Sequence, residues 1–186
     1  MIAEVLRAAG ADAGAPGLLE KADSIRIVDL LSWKYANAAA LVASRIGASP
    51  RETLQSAVGG NSPQMLVNDA AAAIGRGELD VVLIGGAEAI YSHMVARKRG
   101  GSLDWTHQPA GTAAPKVIGV DRPGSAEVEM AHSLVMPTQV YPIFENALRH
   151  GAGESIDEHQ RKISALWSRF SAVAAGNPYA WSPEAK

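Results

Sequence analysis

The 186-residue chain contains no cysteine. That single absence removes disulfides, thiolate zinc sites and thiol nucleophiles together. Aromatic residues make up only 5% of the chain, too few for a platform on which single-stranded bases could stack. Neither sign of charge dominates, since 17 Lys and Arg against 19 Asp and Glu leave a net charge of −2. With both signs mixed along the chain there is no basic face for a phosphate backbone, and no nucleic-acid partner is expected. No apolar run approaches the ~20 residues that span a bilayer. Met1-Ile2-Ala3-Glu4-Val5-Leu6-Arg7 lacks the basic-then-apolar layout of a signal peptide. A soluble, cytoplasmic protein is the expectation. G-x-G-x-x-G, the P-loop and G-x-S-x-G are missing as well, and Gly85-Gly86 alone is too weak to suggest a dinucleotide site.

What is present is a chain 47% hydrophobic, ample for a core in one domain or two small ones. Ile2, Val5, Leu6 and Ala9 fall at helical spacing, with Gly10 and Gly14 as stops. A domain opening directly in a helix suggests that an N-terminal piece is missing. Ser24 to Asp29 alternates and is β-branched, so it reads as a strand. Residues 36–46 read as a helix closed by Gly47, and 53–58 as a second strand. Gly59-Gly60 then turns the chain. Asn61 or Ser62 is expected to cap a helix running to about Arg76, with Pro63 at its first position. Val81 to Ile84 is apolar on both faces, as in a buried parallel strand. Strands alternating with helices predict an α/β architecture.

The character changes after Tyr91. Arg97-Lys98-Arg99-Gly100-Gly101 reads as a solvated, flexible break, and 111–124 as loop. Helices are expected over 126–133 and 138–150, separated by Pro137. A final helix has a capping box at Ser155-Ile156-Asp157-Glu158 and an apolar stripe of Ile163, Leu166, Trp167, Phe170 and Val173, stopped at Gly176. No strand is expected at Trp181-Ser182-Pro183. The division is 1–91, an α/β core, and 92–186, a mainly helical region.

Candidate chemistry is sparse. Ser62 lies where a strand-to-helix turn would expose a nucleophile, but no histidine is near in sequence to activate it, and a capping role is the plainer reading. His93, His107, His132, His150 and His159 form no pair spaced for a metal, so no metal site is expected. Surface or supporting roles are expected for all five, with His150 at a helix C-terminus and His159 on a polar face. Glu127 and Glu129, near Arg122, read as a solvated face rather than an acid/base pair. Arg97 and Arg99 could meet ligand phosphates, although a solvated helix end is the simpler reading. The helix N-terminus at Asn61–Pro63 is the one position with intrinsic chemistry, because its amides and dipole favour an anion or oxyanion.

Val58-Gly59-Gly60-Asn61-Ser62-Pro63 through Glu88 resembles the nucleophile segment of thiolases, a turn and helix followed by a strand ending in A-G-G-x-E. Aligned without gaps on Gly85, Gly86 and Glu88, the family's cysteine falls on Gly60 and its following Ser or Thr on Ser62. Ile74 and Gly77 match its I-x-x-G. Tyr141-Pro142-Ile143-Phe144-Glu145 and Leu166-Trp167-Ser168-Arg169-Phe170 are similar to actinobacterial thiolase-like proteins of the acetyl-CoA acetyltransferase type. The resemblance implies a thiolase-like N-terminal core without its first strand, then a mainly helical loop-domain region where the family holds coenzyme A. It implies descent from acyl-CoA acyltransferases of lipid or sterol metabolism, with no bound cofactor other than coenzyme A or acyl-CoA as ligand. Position 60 has no side chain to acylate, and the family's histidine and acid/base cysteine belong to a second half not found here, so this polypeptide alone is not expected to be competent. The alternatives are a non-catalytic module that binds acyl-CoA or pairs with another subunit, and part of a retro-aldol lyase. The family's missing first strand lies between the strands matching 25–28 and 80–85, which must therefore pair directly or leave a gap. The family dimerises through the strand matching 53–58, so a homo-oligomer or a complementing partner is expected.

Overall fold

A computed structural model describes residues 1–180, 182, 184 and 185. The chain forms two compact units, Met1–Arg122 and Pro123–Lys186. The boundary falls later than the change of composition at Tyr91.

The first unit is α/β. Helix α1 (Ile2–Asp12) passes through Gly10 rather than stopping there. Strand β1 (Ser24–Ile27), helix α2 (Ala38–Ile46), strand β2 (Glu52–Ser56), helix α3 (Ser62–Gly75) and strand β3 (Val82–Gly85) follow in alternation. Asn37 caps α2, its side chain accepting from the Ala40 amide at 2.9 Å. Helix α4 (Ile90–Lys98) comes next, so Arg97 and Lys98 end a helix instead of opening a flexible break. Inside 111–124, read as loop, the chain forms a fourth strand, β4 (Lys116–Ile118). Its three residues are too short to show alternation, and pairing with a neighbour fixes them instead.

All four strands are parallel in the order β3-β1-β2-β4. Ser24 to Ile27 pair with Val82 to Gly85 on one side and Glu52 to Gln55 on the other. The strands matching 25–28 and 80–85 therefore pair directly. β3 is an edge strand, half-buried along its length, so its apolar run does not mark burial on both faces. β2, by contrast, is not an edge, because Leu54, Gln55 and Ser56 pair with Lys116, Val117 and Ile118.

Ile25 and Ile27 point to one face and pack with Leu6, Leu19, Ala39 and Val42 in the main apolar cluster. The other face carries Ser24, Arg26 and Leu54, all buried, beneath Leu66, Ala70 and Ala73 of α3. Arg26 is 1% exposed. Its guanidinium reaches Asp69 at 2.6 Å and Glu52 at 3.4 Å, and Nε donates to the Ser24 hydroxyl at 3.2 Å. A buried charge is retained only when paired and hydrogen-bonded in this way.

The second unit is helical. Helix α5 (Glu127–Ala131) is shorter than expected. Helix α6 (Pro137–Gly151) takes Pro137 into its first turn and carries Pro142 in its interior. Helix α7 (Ile156–Ala175) begins at the expected capping box, where the Ser155 amide donates to Glu158 at 2.8 Å and the Glu158 amide to the Ser155 hydroxyl at 3.3 Å. The expectation of no strand at Trp181 and Pro183 lies outside the described residues.

Candidate functional site

The turn after β2 is built by four ties. The Ala57 amide donates to the Ile118 carbonyl at 2.7 Å. The Val58 amide donates to Asp121 Oδ1 at 2.6 Å. The Ser62 amide closes the turn on the Gly59 carbonyl at 3.1 Å. The Ser62 hydroxyl, 2% exposed, donates to the Ala57 carbonyl at 2.7 Å. β4 and the residues after it therefore hold the turn from outside.

Neither side chain expected to cap α3 does so. Asn61 occupies the N-cap position in a helical conformation, with no side-chain bond to the first turn, since the turn closes through main-chain atoms. Ser62 is spent one step back, on the end of β2. A hydroxyl donating its proton to a buried carbonyl is an anchor, and among the described residues no base sits on it to activate it. Gly60 is exposed, and a Cβ built there meets no atom within 4 Å. The N-terminus of α3 thus faces open space at position 60, at the C-terminal end of β2. Ligands of parallel α/β sheets bind outside such strand ends. Beside it an open groove of about 480 Å3 is lined by Asn61, Gln64, Met65, Asn68 and Asp69.

The remaining candidates are not gathered here. Arg97 and Arg99 are exposed at the C-terminal end of α4, where cations suit the helix dipole. They line neither this groove nor the cavity walled by Trp33 and Trp105. Glu129 turns back on the start of its own helix, accepting from the Ala126 amide at 2.6 Å. His93 and His107 pack against Trp33 with ring centroids 6.2 and 5.2 Å away.

Two groups have roles the sequence reading did not assign. Glu88 accepts from the Leu31 and Ser32 amides at 2.8 and 2.9 Å and from the Ala89 amide at 3.2 Å, joining the loop after β1 to the loop after β3. Burial alone would raise its pKa, but hydrogen bonds from the Ser32 side chain and these amides prevail and hold it below the ordinary carboxylate value. The Gly-Gly-x-Glu pattern at a strand end was the available signal. His159, expected on a polar surface, is 8% exposed. Its Nδ1 lies 2.6 Å from Glu154 and its Nε2 2.7 Å from Glu145 on α6. The bonds to Glu154 and then Glu145 raise its pKa. Both ring nitrogens donate to carboxylates only when the imidazole is protonated.

The parallel four-strand sheet with its helices matches a thiolase-like fold. Among solved structures, the chain is similar to a monomeric SCP2-thiolase-like protein, type 1, from Mycobacterium smegmatis, with 26% identity and a TM-score of 0.62. The match covers 91% of this chain and 29% of that one, so the chain spans less than a third of that protein's length. No protein-family model matches the chain, and no curated protein does. Among the described residues no helix is long and apolar enough to cross a membrane.

Proposed function

We propose that this chain is a thiolase-like fragment or subunit that receives an acyl-CoA thioester of lipid or sterol metabolism at the head of α3. The observation that carries the reading is the open helix N-terminus at Gly60, whose dipole favours the thioester oxygen or a phosphate. The Ser62 amide is held by the Gly59 carbonyl and Pro63 has none, so the dipole carries more of the attraction than the first-turn amides. Coenzyme A is a ligand in this reading, not a resident cofactor. The chain alone does not carry out thiolysis or Claisen condensation in this reading, because covalent transfer needs an activated nucleophile, the sequence has no cysteine, and the Ser62 hydroxyl donates to the Ala57 carbonyl. A partner supplying acid and base groups would be required.

Association with a second copy or a complementing chain belongs to the same proposal. Its support is the open edge of β3, since β4 covers the edge of β2. Incubation of the purified chain with an acyl-CoA, followed by intact-mass measurement, tests the chemistry. Saturable binding without a covalent adduct is the expected result. A stoichiometric adduct on Ser62 with turnover to free coenzyme A would overturn the reading.

A further inference from the structure

A second site lies in the first unit, away from the Gly59–Ser62 turn. A cavity of about 420 Å3 opens over the C-terminal ends of β1 and β3. Its long wall is one stripe of α2, made of Ala38, Leu41, Val42 and Arg45. These positions share a helix face and span about 10 Å at 1.5 Å per residue. The facing wall carries Trp33 and Trp105, whose rings meet edge-on at 5.3 Å. The cavity is therefore an apolar slot closed at one end by a guanidinium. Arg45 donates to the Thr106 hydroxyl at 2.6 Å and makes no ion pair among the described residues, although the Glu4 carboxylate, held low first by its hydrogen bond to the N-terminal ammonium, also feels the Arg7 and Arg45 charges. The Arg7 guanidinium, donating to the Arg45 carbonyl, adds a second positive charge nearby.

Two carboxylates line the same cavity. Glu88 is already occupied by three backbone amides. Asp104, on the strap with Trp105 and Thr106, has no partner among the described residues. It opposes an anion, and its removal should therefore strengthen binding of one.

We propose that this slot binds an unbranched amphipathic carboxylate, its chain between the Ala38, Leu41 and Val42 stripe and the touching Trp33–Trp105 pair, and its head group on Arg45. The size is within the range of small-molecule sites, and an apolar body with one placed charge is their usual design. The planar fork of Arg favours an anionic head group with paired acceptor oxygens, such as a carboxylate, over an alcohol or an ammonium. The site stands without the acyl-thioester reading, because it shares no residue with the head of α3.

Calorimetric titration of the full chain with octanoate, octanol and octyltrimethylammonium tests it. Octanoate should bind saturably and one-to-one, more tightly than either of the other probes. Arg45→Gln should weaken octanoate at least tenfold, with Arg45→Lys retaining part of the affinity. Asp104→Asn should tighten it several-fold. Trp105→Ala should weaken all three probes while preserving their order, which tests the slot even if the Arg45 variants fold poorly by circular dichroism. Equal binding of octanol or the ammonium, an unchanged Arg45→Gln, or no saturable octanoate binding up to millimolar concentration would each overturn the proposal.

Discussion

Two glycines beside the turn after β2 carry opposite constraints. Gly60 has an ordinary backbone and open space where a Cβ would stand, whereas Gly119 has a φ of +95° and a Cβ there would lie 2.9 Å from the Met65 methyl and 3.1 Å from Ala57 Cβ. Gly60→Ala should therefore change stability by no more than about 0.5 kcal/mol, as at other unconstrained surface positions. Gly119→Ala should cost about 2–3 kcal/mol from backbone strain and overlap. Urea melts of the two variants check both values. Arg26 sets up another contrast. Asp69→Ala strips the closest partner from a buried guanidinium and should cost about 2 kcal/mol, less than the ~3–5 for a fully buried pair because Asp69 is half exposed. Arg26→Met removes the charge itself and should cost less than Asp69→Ala in the same melts. The sequence made Gly60 visible through its place in a pattern. It could not show Arg26 as a buried ion, because an arginine between two isoleucines in an alternating strand reads as the solvent side. Only α3, arriving 40 residues later, converts that side into an interior.

At the scale of elements, the strands and helices with strong local signals were legible: β1 by its alternation, α2 by its stop at Gly47, α7 by its capping box. β4 was not, because three residues between turns hold no period and their strand character comes from β2. The α6–α7 connection was half legible. The capping box was readable, while the Glu145–His159–Glu154 cluster required two helices to meet. His159 has a raised pKa when folded, so its contribution to stability is full below the ordinary value of 6.5 and is lost as pH rises through the raised one. Glu154 is held low by Lys162 and then His159, so its contribution is present above 4.5 and is lost as pH falls through its lowered value. The helical unit should thus be most stable between about pH 4.5 and 6.5 and should weaken at alkaline pH. Thermal melts of the wild type should show that alkaline decline, and His159→Gln should flatten it. A wild-type profile with no decline anywhere above pH 6.5 would contradict the assignment.

For the whole molecule, the fold class was legible because strands and helices alternate over the first 85 residues. The pairing order was not, since nothing local says that β1 accepts both β2 and β3. Association is decided at this scale. With β2 covered, light scattering should report a mass above the 19.4 kDa of one chain only if the edge of β3 or another surface recruits a copy. A single-chain mass across a wide concentration range would remove self-association from the proposed function.

The direct ladder between β1 and β3 also determines what a strand supplied in trans could do. Neighbouring strands stand about 4.8 Å apart, so a strand entering between these two would first have to open the ladder from Ser24 to Ile27 and double that spacing. The outer side of β3 asks for no such rupture. A synthetic donor strand should accordingly slow hydrogen exchange at β3 without releasing protection at Ile25 and Ile27. The sheet would then grow outward by one strand, with its centre left closed.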